Sequence, residues 1–345
     1  MTIINKDSQG REITYEVDFD SPNAELGYGG TGRVFRGSRI DPDSGIKRDV
    51  AIKFLYADLP QITVERARRE TEIKISSENL VEMIDFIDVV DDGVHHYHVV
   101  SELLEGVLLS ELLKGNLSSQ DGKVHEEIQG LFNLHKSKPE QFAIHIIRNV
   151  LSGIMSLHDA GYLHRDIDPS NIMITNDGKV KLIDFGIAKK LNSKDDKYHR
   201  LTALGEFVGK ASYAAPELVS GDLVHQNFTT DIYAIGILFY ELVVNKLPFD
   251  GPAHEVLKKQ LTEDIPVKDV KNKEIRKIIE TATQKDQSKR YSSAFEFRVA
   301  IDQLKIDSKQ PNPSFSSIHL NWMWIAGVIA VLAGFAMGIC IQHLV

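Results

Sequence analysis

The stretch of sequence that decides the fold runs from Leu163 to Gly186. Residues 163–171 read LHRDIDPSN and residues 183–186 read IDFG. Two short apolar runs lie between them, and they are separated by Asn-Asp-Gly at 176–178, which is a strong hairpin signal. We therefore predict a β-hairpin whose ends bring Asn171 and Asp184 side by side.

This hairpin would place two oxygen-bearing side chains on neighbouring strand ends. Asn171 and Asp184 suit Mg²⁺, which takes few protein ligands and fills its remaining positions with phosphate and water. Asp166 lies just upstream, free to face a substrate hydroxyl. The two runs resemble the catalytic loop and the metal-binding turn of the protein kinases, His-Arg-Asp and Asp-Phe-Gly. Either triplet alone is a weak signal, but both in this order, joined by a hairpin, are a strong one.

A glycine-rich run, LGYGGTGRV, occupies residues 26–34. Gly-x-Gly-x-x-Gly alone could open a dinucleotide-binding unit, but that unit needs a helix directly after the glycines. Residues 33–37 instead predict a strand, as in the glycine-rich loop of a kinase, whose backbone lies close to the ATP phosphates. The resemblance implies that ATP is contacted by Leu26, Gly27, Gly29, Gly32, Val34, Ala51, Lys53, Glu102 and Leu104.

A lysine on the next predicted strand, Lys53 in VAIK at 50–53, resembles the lysine that pairs with the α- and β-phosphates. Its carboxylate partner would come from a helix predicted between Thr63 and Ser76, which offers Glu65, Glu70 and Glu72. The family often has Arg-Arg-Glu here, so Arg68-Arg69-Glu70 favours Glu70. Glu72 would point about 200° away around the helix, so both cannot face inward.

The run from Val99 to Gly106 predicts a strand that leads into the linker between two lobes. The resemblance implies that Glu102 to Leu104 bind adenine through their backbone and that Ser101 is a small gatekeeper. Three histidines just upstream, His95, His96 and His98, could suggest a metal site. Because Asp92-Gly93 is a turn signal, we favour an exposed hairpin for them.

Residues 114–139 are polar and predict an irregular surface insertion. Apolar residues then recur at helical spacing and predict a helix with a core-facing stripe that ends near Ala160-Gly161. The members of this stripe are Phe142, Ile146, Ile147, Val150, Leu151, Ile154 and Leu157.

Three later motifs extend the resemblance to roughly residues 20–304. Ala215-Pro216-Glu217 resembles the end of an activation segment, and its Glu217 would pair with Arg290. Asp231 would hold the backbone of the catalytic loop. The resemblance also implies that Arg165 binds a phosphate on the activation segment, where Thr202 is the expected site.

Composition limits the classes of function. The chain has 345 residues, 42% of them hydrophobic, so it can bury a sizeable core. Its net charge of -9 argues against a nucleic-acid partner. The only cysteine is Cys340, so no disulfide can form within the chain, and no secretory signal is expected.

The tail predicts a membrane anchor. Residues 305–320 predict a linker, and residues 321–342 a transmembrane helix, because the twenty residues from Trp322 to Ile341 carry no charge. At about 1.5 Å per residue they would span roughly 30 Å, the thickness of a bilayer core. Lys305 and Lys309 place the preceding domain on the cytoplasmic side of a single-pass protein. Small residues spaced four apart predict a possible homodimer, at Ala326, Ala330, Gly334 and Gly338.

The expected fold is α+β, with the two lobes of a protein kinase. Residues 1–19 would form an extension, about 20–104 a β-rich N-lobe with one key helix, and about 105–304 a helical C-lobe. The resemblance implies transfer of phosphate from ATP, with Mg²⁺ or alternatively Mn²⁺, to Ser/Thr hydroxyls of proteins, including the chain itself, in signalling. Pro169 and the ASYAAPE run favour this class over the tyrosine kinases.

Two positions depart from the family. Asp168 stands where serine/threonine kinases have a Lys, and Lys210 stands where they usually have a Thr. We expect the two residues to be neighbours and to have exchanged one positive charge, so that Lys210 reaches the transferred phosphate; a local salt bridge without a catalytic part is the alternative. The expected catalytic set is Asp166, Lys53, Glu70, Asp168 and Lys210. The departures keep a membrane-tethered pseudokinase scaffold open as a second hypothesis. A third, a kinase-fold enzyme acting on a small molecule, is weaker because the activation segment is complete.

Overall fold

The computed structural model describes residues 1–6, 10–184, 189–190, 210–222 and 224–304. The chain divides into two compact units, Met1–Leu304 and Lys305–Val345, and every described residue lies in the first. Phe185, Gly186, Thr202, the expected linker and the expected transmembrane helix lie outside the described residues. Within the described ranges, no helix is both long enough and apolar enough to cross a membrane.

The first unit begins with a seven-stranded antiparallel sheet in the order β1-β2-β4-β5-β7-β6, with β3 also paired to β4. Its strands are β1 (Thr2–Lys6), β2 (Glu12–Val17), β3 (Glu25–Gly29), β4 (Gly32–Ile40), β5 (Lys47–Leu55), β6 (Met83–Asp91) and β7 (Val94–Glu102). The predicted strand–turn–strand of the glycine-rich run is therefore confirmed.

The N-terminal hairpin β1–β2 belongs to this sheet. Ile3, Tyr15 and Val17 pack in one apolar cluster with Ile52 and Val100 of the central strands. The Asp85 carboxylate in β6 accepts hydrogen bonds from the Asn5 amide and the Tyr15 hydroxyl, each at 2.9 Å. The hairpin therefore extends the sheet beyond β4, and its side chains are bonded back to β6.

Helix α1 (Gln61–Glu72) packs against β6 and β7. The prediction that it continues to Ser76 is wrong. After Glu72 the chain leaves helical geometry, Ile73 is buried, and the Lys74 ammonium donates to the carbonyl oxygens of Met83 (2.9 Å) and Ile84 (2.7 Å). These contacts with β6 take the place of a further helical turn.

The second half of the unit is helical. Its helices are α2 (Leu109–Lys114), α3 (Glu126–Ser137), α4 (Pro139–Asp159), α5 (Pro216–Val219), α6 (Phe228–Val244), α7 (Ala253–Thr262), α8 (Lys273–Ala282) and α9 (Ala294–Asp302). All seven residues of the predicted stripe on α4 are buried, so that prediction is confirmed.

The predicted irregular insertion at 114–139 is wrong for its second half, because α3 occupies Glu126–Ser137 and packs on α4. Ile128 is fully buried there. Glu126 and Glu127 in the first turn and Lys136 in the last turn complement the helix dipole. These charged residues gave the segment its polar composition although they suit a helix.

The deciding hairpin forms as predicted. Strands β10 (Ile172–Thr175) and β11 (Val180–Leu182) pair antiparallel, with Ile172 opposite Leu182. β8 (Gly106–Leu108) pairs with the other edge of β10. A short pair, β9 (Tyr162–Leu163) and β12 (Lys189–Lys190), lies on either side of this hairpin in the chain.

Candidate active site

The loop from His164 to Asn171 is fixed by hydrogen bonds to a buried carboxylate at the start of α6. The Asp231 side chain is fully buried and accepts hydrogen bonds from the backbone N–H groups of His164 and Arg165, each at 2.8 Å. His158 Nε2 lies 2.8 Å from the same carboxylate. Burial alone would raise the pKa of Asp231, but the hydrogen bond and charge of His158 hold it below the usual value. The expected role of Asp231 is confirmed.

Arg165 has a φ of +68°, a backbone conformation that non-glycine residues rarely adopt. The bond from its N–H to Asp231 fixes this conformation. Strain of this kind persists only where surrounding contacts over-determine the backbone. The backbone that carries the next residue, Asp166, is therefore rigidly positioned.

Asp166 and Asn171 are directly connected. Asn171 Nδ2 donates to the backbone oxygen of Asp166 (2.8 Å) and to its carboxylate (2.9 Å). The pKa of Asp166 is raised, mainly by burial, and the negative charges of Asp168 and Asp184 act in the same direction. A carboxylate with a raised pKa, hydrogen-bonded in place, can accept a proton from a hydroxyl.

Asp184 follows β11 and lies next to this pair. The Ile183 N–H donates to the Asn171 carbonyl oxygen at 3.0 Å, which brings the two hairpin ends together as predicted. Because the Asn171 amide nitrogen points at Asp166, the amide oxygen remains available as a ligand. Carboxylate and amide oxygens are the donors that Mg²⁺ prefers, so the residues present fit this ion.

An ion pair between Asp168 and Lys210 lies at the catalytic loop. Asp168 is only 2% exposed and accepts a hydrogen bond from the Ser170 N–H at 2.7 Å. The Lys210 ammonium contacts both the Asp168 carboxylate and the Ser170 hydroxyl. The predicted contact between residues 168 and 210 is thus present, and the Lys210 side chain remains 48% exposed.

The nucleotide-facing residues lie on the sheet. Gly32 in β4 needs to be glycine, because a Cβ atom there would collide with the backbone oxygen of Phe54. Lys53 lies on β5 and is half-buried. Glu70 is a buried acidic residue of α1, whereas Glu72 is exposed, in agreement with the choice of Glu70. The pairing of Lys53 with Glu70 stays a prediction.

The last residue of β7, Glu102, makes a contact that the sequence did not indicate. The Glu102 N–H donates to the Glu82 carbonyl oxygen at 2.9 Å, and the Glu102 carboxylate pairs with the Lys181 ammonium at 2.6 Å. Since Lys181 lies on β11, this ion pair ties the end of β7 to the strand that Asp184 follows. Adenine binding by Glu102 and Leu104 stays a prediction.

The three histidines form a hairpin as expected, but not wholly an exposed one. His95 and His96 are exposed, whereas His98 is 4% exposed and packs on the Phe54 ring at 4.4 Å. Burial lowers its pKa to about 4. Among the described residues, no three potential ligands of the His, Cys, Asp or Glu types converge on a metal position.

Buried polar pairs beneath the site anchor the segment from Lys210 to Glu217. Arg290 binds the Glu217 carboxylate with two bonds of 2.8 and 3.0 Å, as expected from the motifs. The Tyr213 hydroxyl donates to Glu241 at 2.5 Å, and burial raises the pKa of Glu241. Sequence reasoning missed Tyr213 and Glu241, although Glu241 is the one charged residue in residues 232–244 of α6 and is therefore a usable signal.

Comparison with known proteins gives a consistent result. The sequence model of the family described as the protein kinase domain matches residues 21–300. The probable serine/threonine-protein kinase PknB of Corynebacterium glutamicum is 34% identical over 257 residues, which is 73% of this chain and 34% of that protein.

Two further relatives carry similar names. The serine/threonine-protein kinase PknA of the same organism is 28% identical over 85% of this chain and 58% of its own length. PrkC of Bacillus subtilis, also a serine/threonine-protein kinase, is 30% identical over 83% of this chain and 41% of its own length. The chain thus spans from about a third to under two thirds of the length of these curated relatives.

Proposed function

The chain belongs to the protein kinase family, among its bacterial-type serine/threonine members, and we propose that it transfers the γ-phosphoryl group of ATP to serine and threonine hydroxyls of proteins. The observation that carries this proposal is the hydrogen-bonded unit of Asp166 and Asn171 beside Asp184. A base, an amide and a second carboxylate at this spacing are the parts that phosphoryl transfer to a hydroxyl requires.

Each residue has a distinct part. Asp166 orients the acceptor hydroxyl and takes its proton, helped by its raised pKa. Asn171 and Asp184 would hold Mg²⁺, which neutralises phosphate charge when bound; Mn²⁺ suits the same oxygen donors. The glycine-rich hairpin β3–β4 covers the phosphates, and Lys53, oriented by Glu70, neutralises them from the sheet.

We assign Lys210 to the transferred phosphate in place of the missing lysine at 168. Its ammonium contacts Asp168 and Ser170 of the catalytic loop and is half-exposed, which supports this assignment. Asp168, nearly fully buried and held by the Ser170 N–H, would serve as the fixed support for this cation.

Autophosphorylation at Thr202 is part of the proposal. Arg165 and Arg66 lie close enough for the charge of Arg66 to lower the pKa of Arg165, although burial is the main cause of that shift to about 10. Two guanidinium groups near each other suit a phosphate, which each can bind with paired hydrogen bonds.

Attachment to a membrane through residues 321–342, with the kinase domain in the cytoplasm, is also proposed. The uncharged stretch from Trp322 to Ile341 supports it. Pelleting of the full chain with membranes after alkaline extraction, compared with a chain ending at Leu304, tests the anchor. Self-association would follow from the small residues around Gly334 and Gly338, and substitution of both by Ile should abolish it in a membrane reporter.

The activity is tested with full-length protein in detergent, γ-labelled ATP and casein as a general acceptor. We expect label on Ser and Thr, not on Tyr, in phosphoamino-acid analysis. Asp166→Asn and Asp184→Ala should each abolish transfer, whereas Asp177→Asn in the exposed hairpin turn should not. Nucleotide binding without transfer by the parent protein would instead favour the pseudokinase scaffold.

A further inference from the structure

One fully buried side chain ties the segment after Lys210 to helix α7. Gln260 is 0% exposed, and its Nε2 donates to the carbonyl oxygens of Ser212 (2.6 Å) and Ala211 (3.5 Å). Its Oε1 accepts a hydrogen bond from the Tyr233 hydroxyl at 2.5 Å. The amide thus uses both its donor and its acceptor on specific partners, which a buried amide must do to offset its lost hydration.

The line of hydrogen bonds continues from Tyr233 into the C-lobe. Tyr233 is 0% exposed on α6, and its hydroxyl accepts from the Lys285 ammonium at 2.7 Å. The Arg290 guanidinium, already bound to Glu217, lies 4.9 Å from the centre of the Tyr233 ring. Tyr233 is therefore fixed on two sides, and a hydroxyl that accepts from Lys285 must donate toward Gln260.

The segment that Gln260 reaches is fixed at two further points. Lys210 at its start contacts Asp168 and Ser170, and Tyr213 at its end donates to Glu241. Gln260 binds the two residues between them. Because it binds backbone carbonyls, the constraint acts on the path of the chain and not on the side chains at 211 and 212.

We propose that Gln260 is a positioning residue for the protein substrate, setting the path of residues 211–212 and with it the place where Lys210 contacts the phosphate in transfer to the acceptor. This inference rests on the proposed function. Phosphoryl transfer tolerates little misplacement of the acceptor, so a segment that shifts by a fraction of an ångström would weaken substrate binding and turnover. A role limited to packing would instead affect stability and leave substrate recognition unchanged.

The test compares Gln260→Leu with Thr283→Val in the full-length protein. Thr283 is also buried, and its hydroxyl donates one hydrogen bond, to the Ile279 carbonyl oxygen at 2.8 Å. Thr283→Val removes that bond without touching any contact to residues 211–212. With casein as acceptor, Gln260→Leu should raise the KM for casein on the order of tenfold, with the KM for ATP within about twofold of the parent. Thr283→Val should leave both KM values unchanged.

Hydrogen exchange gives a readout that needs no activity. The amides of Tyr213 and Ala214 donate to the carbonyls of Lys210 and Ala211, so they report on this turn. Gln260→Leu should speed their exchange at least tenfold, and Thr283→Val should not. Tyr233→Phe, which removes only the hydroxyl, should give a smaller change in the same direction, and it serves as the variant if Gln260→Leu fails to fold.

The outcomes separate the two proposals. Parental exchange and a parental KM for casein in both Gln260→Leu and Tyr233→Phe would overturn the positioning role. An equal rise of the KM for casein and the KM for ATP in both Gln260→Leu and Thr283→Val would also overturn it, because such a rise indicates a general loss of packing. If the parent transfers no phosphate at all, the proposed function fails, and the exchange experiment still decides whether Gln260 holds the segment.

Discussion

Replacement of Lys210 by threonine is the sharpest test of how this site handles charge. The substitution removes the cation that contacts Asp168 and Ser170 and restores the residue that the family usually has there. A unit charge about 4 Å from a phosphate, at an effective dielectric near 20, contributes roughly 4 kcal/mol before desolvation. Lys210 is 48% exposed, so solvent screening reduces this figure. If about half survives in the transition state, the loss exceeds roughly tenfold in rate.

The assay measures steady-state kcat and the KM for ATP on full-length protein with casein. We expect Lys210→Thr to lower kcat by more than about tenfold and to leave the KM for ATP nearly unchanged, because the lysine acts on the group in transfer. Lys179→Thr is the matched control, since it removes an exposed lysine paired with Asp177 at 2.8 Å away from the site.

A second variant rebuilds the arrangement that the family usually has. Asp168→Lys combined with Lys210→Thr returns the positive charge to position 168 and should recover part of the lost rate. Parental kcat in Lys210→Thr would refute the relocation of charge and leave the contact with Asp168 as a local salt bridge.

Three further outcomes are expected. Arg290→Met should lower the free energy of unfolding in urea by about 3–5 kcal/mol, because it leaves the Glu217 carboxylate buried without its cation. The difference from the parent protein should shrink as pH falls and Glu217 becomes protonated. Lys289→Met, at an exposed neighbouring position, should change the free energy of unfolding little. Asp168→Asn should shift the acidic limb of the pH profile of kcat/KM to lower pH, because removal of a nearby negative charge lowers the raised pKa of Asp166. An acidic limb at the same pH in the variant and the parent would count against Asp166 as the titrating group. Thr202→Ala should reduce activity, with phosphate found on Thr202 of active parent protein by mass spectrometry; full activity of the variant would contradict an activating role.

The parts of the site that the sequence predicted are those with fixed spacing. The Asn171 and Asp184 juxtaposition follows from a hairpin whose turn and strand lengths are local properties. The roles of Asp231 and Arg290 came from the family resemblance, because their partners lie 67 and 73 residues away in the chain and no local pattern points to them. The resemblance also placed Lys210 beside Asp168.

Other features depend on tertiary contacts that carry no local signal. Helix α3 was missed because its exposed face is strongly polar and only Ile128 and His135 are buried. Glu241 and Gln260 were missed because a polar residue on a helix gives no sign of which distant segment it binds. The local sequence pattern identifies a helix or strand, whereas tertiary packing determines which distant residues its side chains contact.

The N-terminal hairpin has a consequence for anyone who trims this protein to the boundaries of the matched family. Removal of residues 1–20 would strip the cover from Ile52 and Val100 and leave the backbone groups of β4 at residues 37–40 without their partners in β2. An unpaired strand edge beside apolar side chains is a template for strand addition between molecules. We expect such a shortened chain to aggregate on standing, visible as rising light scattering, while the chain that begins at Met1 stays dispersed.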